Sequence, residues 1–285
     1  MTVPCRQCIG CRLDKSKEWA LRCMHEAQMH HKNSFITLTY APEHLPKDGS
    51  IHVEEFQKFM KRLKQEYSHL ENKKRIYPKI RYFHCGEYGE KLDRPHYHAI
   101  LFNHDFPDKY LHYHDHKRGV STYRSPRLEK VWPKGFSTIG DVTWQSAAYV
   151  ARYVMKKQNG KAAADHYKYF DSETGEIKGD INPEYTSQSL KPGIGHDYFM
   201  KYMDDIFPDD FCIRMDGQKA VKQSVPEYYD KLYEKLYPEK MIEIKKQRRV
   251  NLEKHKNDLT EVRLQQREYI QQRKLNRLVR HEGTI

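Results

Sequence analysis

The segment from His96 to Phe102, with the sequence HYHAILF, constrains the fold more than any other part of the chain. Successive side chains of a strand point to opposite faces. One face here carries two histidines followed by two apolar residues: His96, His98, Ile100 and Phe102. The other face carries an aromatic residue and two apolar ones: Tyr97, Ala99 and Leu101. Because both faces must be covered, the segment predicts a central, buried strand of a sheet.

Further strands and helices surround this segment in the sequence. Runs of β-branched and aromatic residues predict three other strands: Phe35 to Tyr40, Ile80 to Gly86 and Phe136 to Trp144. The turn-like stretch 88–94, just before His96, predicts a β-hairpin. Helical spacing of apolar residues predicts helices over Val53 to Leu63 and over Gln145 to Lys157. Hairpins replace a regular alternation of strands and helices, so we expect an α+β fold with a central, largely antiparallel sheet and flanking helices.

The chain is expected to contain three regions. Residues 1–160 hold the predicted sheet and a cysteine-containing N-terminal segment, and the polar stretch 103–135 within them is interpreted as an irregular excursion. Residues 161–225 are expected to form a loop-rich extension, since Thr-Gly, Asn-Pro and Pro-Gly steps interrupt them. Residues 226–285 carry 15 Lys and Arg against 10 Asp and Glu. They are expected to form a basic helical C-terminal region that Pro238 breaks or kinks.

Charge and hydropathy exclude several classes of protein. The chain has 51 Lys and Arg against 39 Asp and Glu, a net charge of +12, and a mean hydropathy of −0.97. No apolar run approaches the roughly 18 residues that a membrane-spanning helix needs, and the N-terminus lacks the apolar stretch of a secretory signal. Aromatic residues make up 12% of the chain, which argues against disorder. We therefore expect a soluble, basic protein with a nucleic-acid partner and no membrane partner.

Three cysteines near the N-terminus form a C-x-x-C-x-x-C motif, and a fourth cysteine follows. Without a secretory signal these cysteines are expected to stay reduced. The spacing suits a small zinc site, which takes four ligands. The candidate zinc ligands are Cys5, Cys8, Cys11 and Cys23. The alternative is a set of free thiols near the start of a helix, because a second C-x-x-C pair is absent.

The two histidines on one face of the central strand, His96 and His98, can together chelate a divalent ion. Glu87 ends the preceding strand, and the hairpin can return the chain so that its carboxylate lies near them. Such a mixed set suits Mg²⁺ or Mn²⁺ carrying phosphate oxygens; in the alternative interpretation Glu87 only caps a turn. A second alternating set lacks flanking apolar residues and is expected to lie in an exposed loop or hairpin: His112, His114 and His116.

The predicted helix over Gln145 to Lys157 places two tyrosines on a polar face. At 100° per residue, this face carries Gln145, Tyr149, Arg152, Tyr153 and Lys156. The two tyrosines are one turn apart, with β-carbons about 6 Å from each other. Two phenols beside cations suit attack on a phosphodiester, which forms a covalent phosphotyrosine. The alternative use is base stacking or phosphate binding without chemistry.

Three segments in this order, FITLTY, RPHYHAILF and YVARYVMKK, resemble the three motifs of the HUH endonucleases. The resemblance is closest to the rolling-circle replication initiators of the Microviridae, in particular those of the gokushovirus type. The N-terminal PCRQCIGCRLDKSKEWALRC also resembles the opening of that group. The resemblance covers about residues 1–157 and implies an HUH-type nicking core.

This resemblance implies roles for individual residues. It implies a site for Mg²⁺ or Mn²⁺ made of His96, His98 and Glu87. It implies that Tyr149 and Tyr153 are the nucleophiles, and we expect Lys156 to assist them. We expect DNA contacts from basic residues in and beside the motifs: Arg94, Arg152 and Lys157.

The activity that the resemblance implies is nicking and rejoining of single-stranded DNA at a phage origin. A tyrosine attacks the phosphodiester, the protein stays attached to the 5′ phosphate, and the free 3′ hydroxyl primes rolling-circle replication. The DNA partner is expected to be single-stranded or a stem-loop, in the host bacterial cytoplasm. No Walker A motif is present, so host helicase and polymerase are expected partners. The alternatives are an HUH transposase or relaxase, or a non-catalytic, zinc-dependent nucleic-acid-binding protein.

Overall fold

The computed structural model describes residues 5–6, 8–71, 74–89, 93–156, 167–170, 177–216 and 219–277. The chain divides into two compact units, one of residues 19–201 and one that combines residues 1–18 with residues 202–285. The elements of the larger unit follow one another in this order: α1 (Ile9–Gln28), β1 (Asn33–Thr39), α2 (Val53–Glu66), β2 (His69–Glu71), β3 (Lys74–Ile76), β4 (Arg81–Tyr88), β5 (Pro95–Phe102), β6 (Tyr110–Asp115), β7 (Val120–Arg124), α3 (Pro126–Val131), β8 (Ser137–Gly140), α4 (Trp144–Lys156), β9 (Lys168–Phe170), β10 (Ile177–Asp180), β11 (Tyr185–Gln188) and α5 (His196–Ile206). Helices α1 and α5 each contribute residues to both units.

Seven strands form one sheet in the order β11-β4-β5-β1-β8-β7-β6, and all of their pairings are antiparallel. Strand β5 lies between β4 and β1, so the strand that was predicted to be central is central. The predicted hairpin is the one that joins β4 to β5. The predicted α+β class, with a central antiparallel sheet flanked by helices, is confirmed.

One face of the sheet packs against helices α2 and α3. Helix α2 begins at Val53, as predicted, and Glu54 and Glu55 in its first turn suit the positive end of the helix dipole. Its apolar residues recur every three or four positions and are buried: Phe56, Phe59, Met60 and Leu63. They share one core with the apolar face of β5 and with a buried tryptophan: Tyr97, Ala99, Leu101 and Trp132.

The opposite face of the sheet packs against helices α1 and α4. This second core consists of fully buried residues: Ala20, Cys23, Phe83, Cys85, Ile100, Phe102, Ala147, Val150 and Ala151. The three residues from α4 recur at helical spacing and two of them are alanines, so the helix axis can approach the sheet closely. Helix α4 therefore lies against the strands that carry the candidate metal ligands.

Two predicted segments differ from the structure before residue 160. Residues 103–135, expected to be irregular, contain the hairpin β6–β7 at the edge of the sheet and helix α3. The polarity of that stretch is what an edge strand carries to avoid pairing with other chains. The strand expected over Phe136 to Trp144 ends at Gly140, because Thr143 and Ser146 cap helix α4 by accepting each other's backbone N–H.

The stretch 161–225, expected to be rich in loops, contains strands and helix α5 as well as turns. Strand β11 pairs with β4 and forms the edge of the main sheet opposite to β6. The strands described within the stretch 161–225 have only three to six residues each. Such short runs between turn signals carry little periodic pattern.

Besides its parts of α1 and α5, the described residues of the smaller unit form a hairpin and three further α-helices. The hairpin joins β12 (Phe211–Asp216) to β13 (Lys219–Ser224), and the helices are α6 (Glu227–Leu236), α7 (Pro238–Lys254) and α8 (Glu261–Arg277). The helix break expected at Pro238 is present, with Tyr237 between α6 and α7. Arg248 of α7 donates hydrogen bonds of 2.6–2.8 Å to Asp210, just before β12, and to Asp230 of α6. Across the described part of the chain, every helix is too short or too polar to cross a membrane.

Candidate active site

Strand register brings three candidate ligands to one end of the β4–β5 hairpin. Glu87 of β4 lies directly opposite His96 of β5. On the other side of β5, Thr37 of β1 lies opposite His98. Because side chains of directly paired residues point to the same face of a sheet, these four residues share the face that α4 covers.

The side chains of Glu87, His96 and His98 converge. Glu87 Oε1 lies 2.9 Å from His96 Nε2 and 2.8 Å from His98 Nε2. One ligand atom from each of the three residues lies within 4.8 Å of the other two. Two imidazole nitrogens and a carboxylate form a donor set for a divalent cation, so this group is compatible with a bound metal ion.

The charge of Glu87 supports the same interpretation. Its side chain is fully buried, and a buried carboxylate needs a cationic or hydrogen-bonding partner. Burial alone would raise the pKa of Glu87, but the hydrogen bonds and charges of His96 and His98 outweigh burial and hold the pKa far below its ordinary value. Glu87 is therefore ionised at neutral pH and can bind a cation.

The second nitrogen of each histidine faces a partner that orients the ring. His96 Nδ1 lies 3.0 Å from the carbonyl oxygen of Arg94, and His98 Nδ1 lies 2.9 Å from Thr37 Oγ1. A carbonyl oxygen only accepts, so His96 Nδ1 carries a hydrogen and donates it. Since its Nε2 faces the Glu87 carboxylate, that nitrogen needs either a second proton or a cation beside it. The donor set thus fits a divalent ion, held by oriented histidines as in known metal sites.

Helix α4 brings Tyr149 to this group. The Tyr149 hydroxyl donates to Glu87 Oε1 at 3.3 Å and lies 3.4 Å from His98 Nε2. Its ring meets that of His98 edge to face, with centroids 4.9 Å apart. The guanidinium carbon of Arg152 lies 5.4 Å from the centroid of the Tyr149 ring. A phenol and a cation therefore accompany the candidate metal ligands.

The other predicted site residues are placed only in part. Tyr153 and Lys156 belong to the backbone of α4, but their side chains lie outside the described residues, and Lys157 lies outside them altogether. Arg94 donates a hydrogen bond from its guanidinium to the carbonyl oxygen of Tyr40 at 3.0 Å. Together with the bond from His96 to its carbonyl, this contact places Arg94 beside the ligands.

Known proteins resemble this chain over most of its length. The family model of the replication-associated protein ORF2 type matches residues 33–158. The replication-associated protein VP4 of Bdellovibrio phage phiMH2K is 35% identical over 240 residues, which are 84% of this chain and 70% of the relative. The chain belongs to the phage replication-associated proteins. The resemblance to Microviridae proteins that the three motifs carry is thereby confirmed.

Two further replication-associated proteins show the same relationship. ORF2 of Spiroplasma virus 4 is 35% identical over 245 residues, which are 82% of this chain and 68% of the relative. ORF4 of Chlamydia phage 1 is 29% identical over 242 residues, which are 83% of this chain and 55% of the relative. No solved structure matches the chain.

The N-terminal cysteines of this replication-associated protein form a second group of candidate ligands. Cys5, Cys8 and Cys11 lie within 4.8 Å of one another. Cys23, the fourth residue of the predicted zinc set, is not among them. It is fully buried in the core between α1 and the sheet, and burial raises the pKa of its thiol. Cys23 lies twelve positions after Cys11, on the apolar side of α1, and is a core residue.

Two residues of the site were not singled out from the sequence of this replication-associated protein. Thr37 hydrogen-bonds His98, and Phe35 stacks parallel to the same ring with centroids 5.8 Å apart. Both alternate with buried residues along β1, which is the signal that could have placed them on one face. Of the alternative histidine set, His112 and His114 lie on edge strand β6, where His114 Nδ1 bonds Ser121 Oγ at 2.9 Å, and His116 lies in the turn that follows.

Proposed function

We propose that this protein initiates rolling-circle replication by nicking and rejoining single-stranded DNA at a phage origin. The observation that carries the proposal is the position of the Tyr149 hydroxyl, within 3.4 Å of both Glu87 and His98. A nucleophile beside a metal-binding group on one rigid sheet face suits phosphodiester transfer. The names of the relatives, all replication-associated proteins, support the same role.

Glu87, His96 and His98 would hold one divalent ion, Mg²⁺ or Mn²⁺. When bound there, the ion would supply Lewis-acid polarisation of the scissile phosphate. Histidine and carboxylate ligands with room for phosphate oxygens suit these ions. The fixed Nδ1 contacts of the two histidines keep both Nε2 atoms aimed at the same point, so little reorganisation is needed on binding.

The Tyr149 oxygen attacks the scissile phosphorus. A bond forms between this oxygen and phosphorus, the bond from phosphorus to the 3′ oxygen breaks, and the phenol proton ends on the released 3′ hydroxyl. The product is a 5′-phosphotyrosine and a free 3′ hydroxyl, which primes synthesis. Arg152, whose guanidinium lies over the Tyr149 ring, stabilises the negative charge that develops on the phenol oxygen.

Tyr153 follows Tyr149 by one helical turn, which gives the site a second phenol. After one round of synthesis Tyr153 attacks the regenerated junction, while the 3′ hydroxyl released by that cleavage attacks the first phosphotyrosine and rejoins the strand. Each transfer conserves the number of phosphodiester bonds, so no external energy source is required. We assign Lys156, three residues after Tyr153, to the stabilisation of the attacking or departing oxygen.

The net charge of +12 supports binding of DNA, because cationic side chains that neutralise phosphates release counterions. We assign phosphate contacts to Arg94, Arg152 and Lys157, and expect a single-stranded or stem-loop origin as the ligand. The phage DNA would be replicated in the host bacterial cytoplasm by host helicase and polymerase.

Incubation with circular phage single-stranded DNA and Mn²⁺, followed by denaturing electrophoresis, tests the proposal. The expected product is linear DNA with protein attached to its 5′ end. The matched control is the double variant Tyr149→Phe with Tyr153→Phe, which keeps both rings and should bind DNA without forming the adduct. Intact circles under conditions in which the wild-type protein binds the DNA would contradict the proposal and favour a non-catalytic DNA-binding protein.

A further inference from the structure

The cysteine group at the start of α1 has the spacing of a metal site. Cys5 Sγ and Cys11 Sγ lie 3.9 Å apart, and all three sulfurs lie within 4.8 Å of one another. A tetrahedral zinc ion with bonds of about 2.3 Å to sulfur holds two thiolates roughly 3.8 Å apart. A disulfide would require a separation of about 2.05 Å. The observed distance between Cys5 and Cys11, at which the two thiols contact each other, therefore fits two ligands around one ion.

The backbone around these cysteines contacts one of the three sulfurs. The backbone N–H of Cys8 donates to Cys5 Sγ at 3.2 Å. Arg6 between them has φ 61°, in the left-handed region, and this conformation turns the chain back toward the first sulfur. Hydrogen bonds from backbone N–H groups to a charged acceptor are stronger than those to a neutral one, so the turn favours a charged sulfur.

The group also lies at the positive end of a long helix. The carbonyl oxygen of Cys8 accepts the first bond of α1 from Arg12 N at 3.0 Å, and Cys11 lies in the first turn. That turn contains no acidic residue. Thiolates are stabilised at helix N-termini, so the positive end of the α1 dipole favours negative charge on these sulfurs.

We propose that Cys5, Cys8 and Cys11 bind one Zn²⁺ ion, with water as the fourth ligand. Thiolates select zinc over the harder Mg²⁺ and Mn²⁺, so this site and the nitrogen and oxygen site at Glu87 take different ions. The ion holds Cys5 and Cys8 against the start of α1. Within the same unit, Arg6 NH2 lies 3.3 Å and Lys15 Nζ 4.0 Å from carboxylate oxygens of Glu227 at the start of α6. Zinc binding thus orders the N-terminal segment on which these contacts depend.

Metal content of the full-length protein tests the site. We expect about one tightly bound zinc per chain, lost in each of the variants Cys5→Ala, Cys8→Ala and Cys11→Ala. The matched control is Cys212→Ala, which removes a buried thiol from the same unit and should keep the metal. Replacement of zinc by Co²⁺ should give a thiolate-to-cobalt charge-transfer band that the three variants lack. A wild-type protein without that band would overturn the proposal.

Alkylation gives a second readout. It uses only the wild-type protein, so misfolding of a variant cannot affect the result. With zinc bound, Cys5, Cys8 and Cys11 should be protected from a maleimide, and chelation should expose these three together. Cys23 and Cys212 are buried and should stay unreactive in both states. Mass-spectrometric mapping reads out each position. Equal labelling of the three cysteines before and after chelation, or a disulfide between Cys5 and Cys11 in freshly reduced protein, would overturn the proposal.

Discussion

Thr37 and His98 face each other across the β1–β5 pair, and their side chains are joined by a hydrogen bond of 2.9 Å between Oγ1 and Nδ1. The bond fixes the plane of the imidazole. When a cation is bound, a hydrogen on Nδ1 leaves the lone pair of Nε2, which lies 2.8 Å from Glu87 Oε1, available to the ion. Thr37 is thus a positioning residue for the candidate metal ligand His98.

Replacing Thr37 by valine keeps the β-branched shape and removes the hydroxyl that bonds His98 Nδ1. Loss of such a supporting bond typically lowers metal affinity or activity by about 10- to 100-fold, so Thr37→Val should raise the Mn²⁺ concentration needed for half-maximal nicking by this factor. Thr37→Ser should restore most of the affinity. Thr39→Val, two residues along the same strand face, removes a hydroxyl that bonds Phe136 O instead and serves as the control. An unchanged Mn²⁺ dependence in Thr37→Val would show that the bond does not orient His98.

The contrast between Thr37 and the histidines shows which parts of the candidate site can be predicted from the sequence. The convergence of His96, His98 and Glu87 could be predicted because strand alternation and a short hairpin are local patterns within the stretch 87–102. Thr37 could not, because its position depends on the register between two strands that are 61 residues apart, and no local pattern encodes such a register. The burial of Cys23 could not be predicted for a related reason: spacing alone does not reveal that a cysteine belongs to a buried face.

The prediction of the sheet was likewise correct for its centre and incomplete at its edges. The central strand and its neighbours carry strong apolar patterns, whereas β6 and β11 at the two edges do not. An edge strand is half solvated, so its side chains are as polar as those of a loop. Helix α4 was predicted almost to the residue because its buried face consists of regularly spaced residues: Ala147, Val150 and Ala151.

Single tyrosine variants should separate the roles of the two phenols. Tyr149 lies beside Glu87 and His98, so Tyr149→Phe should lower the rate of the first cleavage by at least about a hundredfold, the scale of a lost catalytic group. Tyr153→Phe should retain first cleavage and fail in repeated rounds. Mapping of the phosphotyrosine by mass spectrometry checks both. An adduct on any residue other than these two would contradict their assignment as nucleophiles. Equal multi-round activity in wild type and Tyr153→Phe would contradict only the proposal that the two tyrosines act in turn.

Binding of Mn²⁺ should stabilise the folded protein, and Glu87 should be required for it. A ligand at a hundred times its Kd adds about 2.7 kcal/mol to the free energy of unfolding, which raises the thermal midpoint. Glu87→Gln keeps the shape of the side chain but removes the charge that attracts the cation, so its midpoint should not respond to Mn²⁺. Glu66→Gln removes a carboxylate that pairs with Lys130 on the surface and should leave the response intact. Equal Mn²⁺-induced shifts in wild type and Glu87→Gln would place the ion elsewhere.

Three buried histidines should make the protein sensitive to mild acid. Burial lowers the pKa of His25 and His84 to about 3 and that of His104 to about 4. An unfolded histidine titrates near 6.5, so below this pH the unfolded chain binds protons that the folded chain does not. The stability from these residues is complete above about pH 6.5 and is lost as the pH falls toward the folded pKa, by about 1.4 kcal/mol per pH unit for each histidine.

His104 offers the cleanest test of this acid sensitivity. Its ring contacts Tyr67 and Phe106 edge to face, and its Nε2 is buried with no hydrogen-bond partner among the described residues. His104→Phe keeps the ring contacts and removes the titrating group, so urea unfolding between pH 6 and pH 4.5 should show a slope smaller by about 1.4 kcal/mol per pH unit than in wild type. His31→Phe, at an exposed position, should leave the slope unchanged. Identical slopes for wild type and His104→Phe would mean that folding does not lower the pKa of His104.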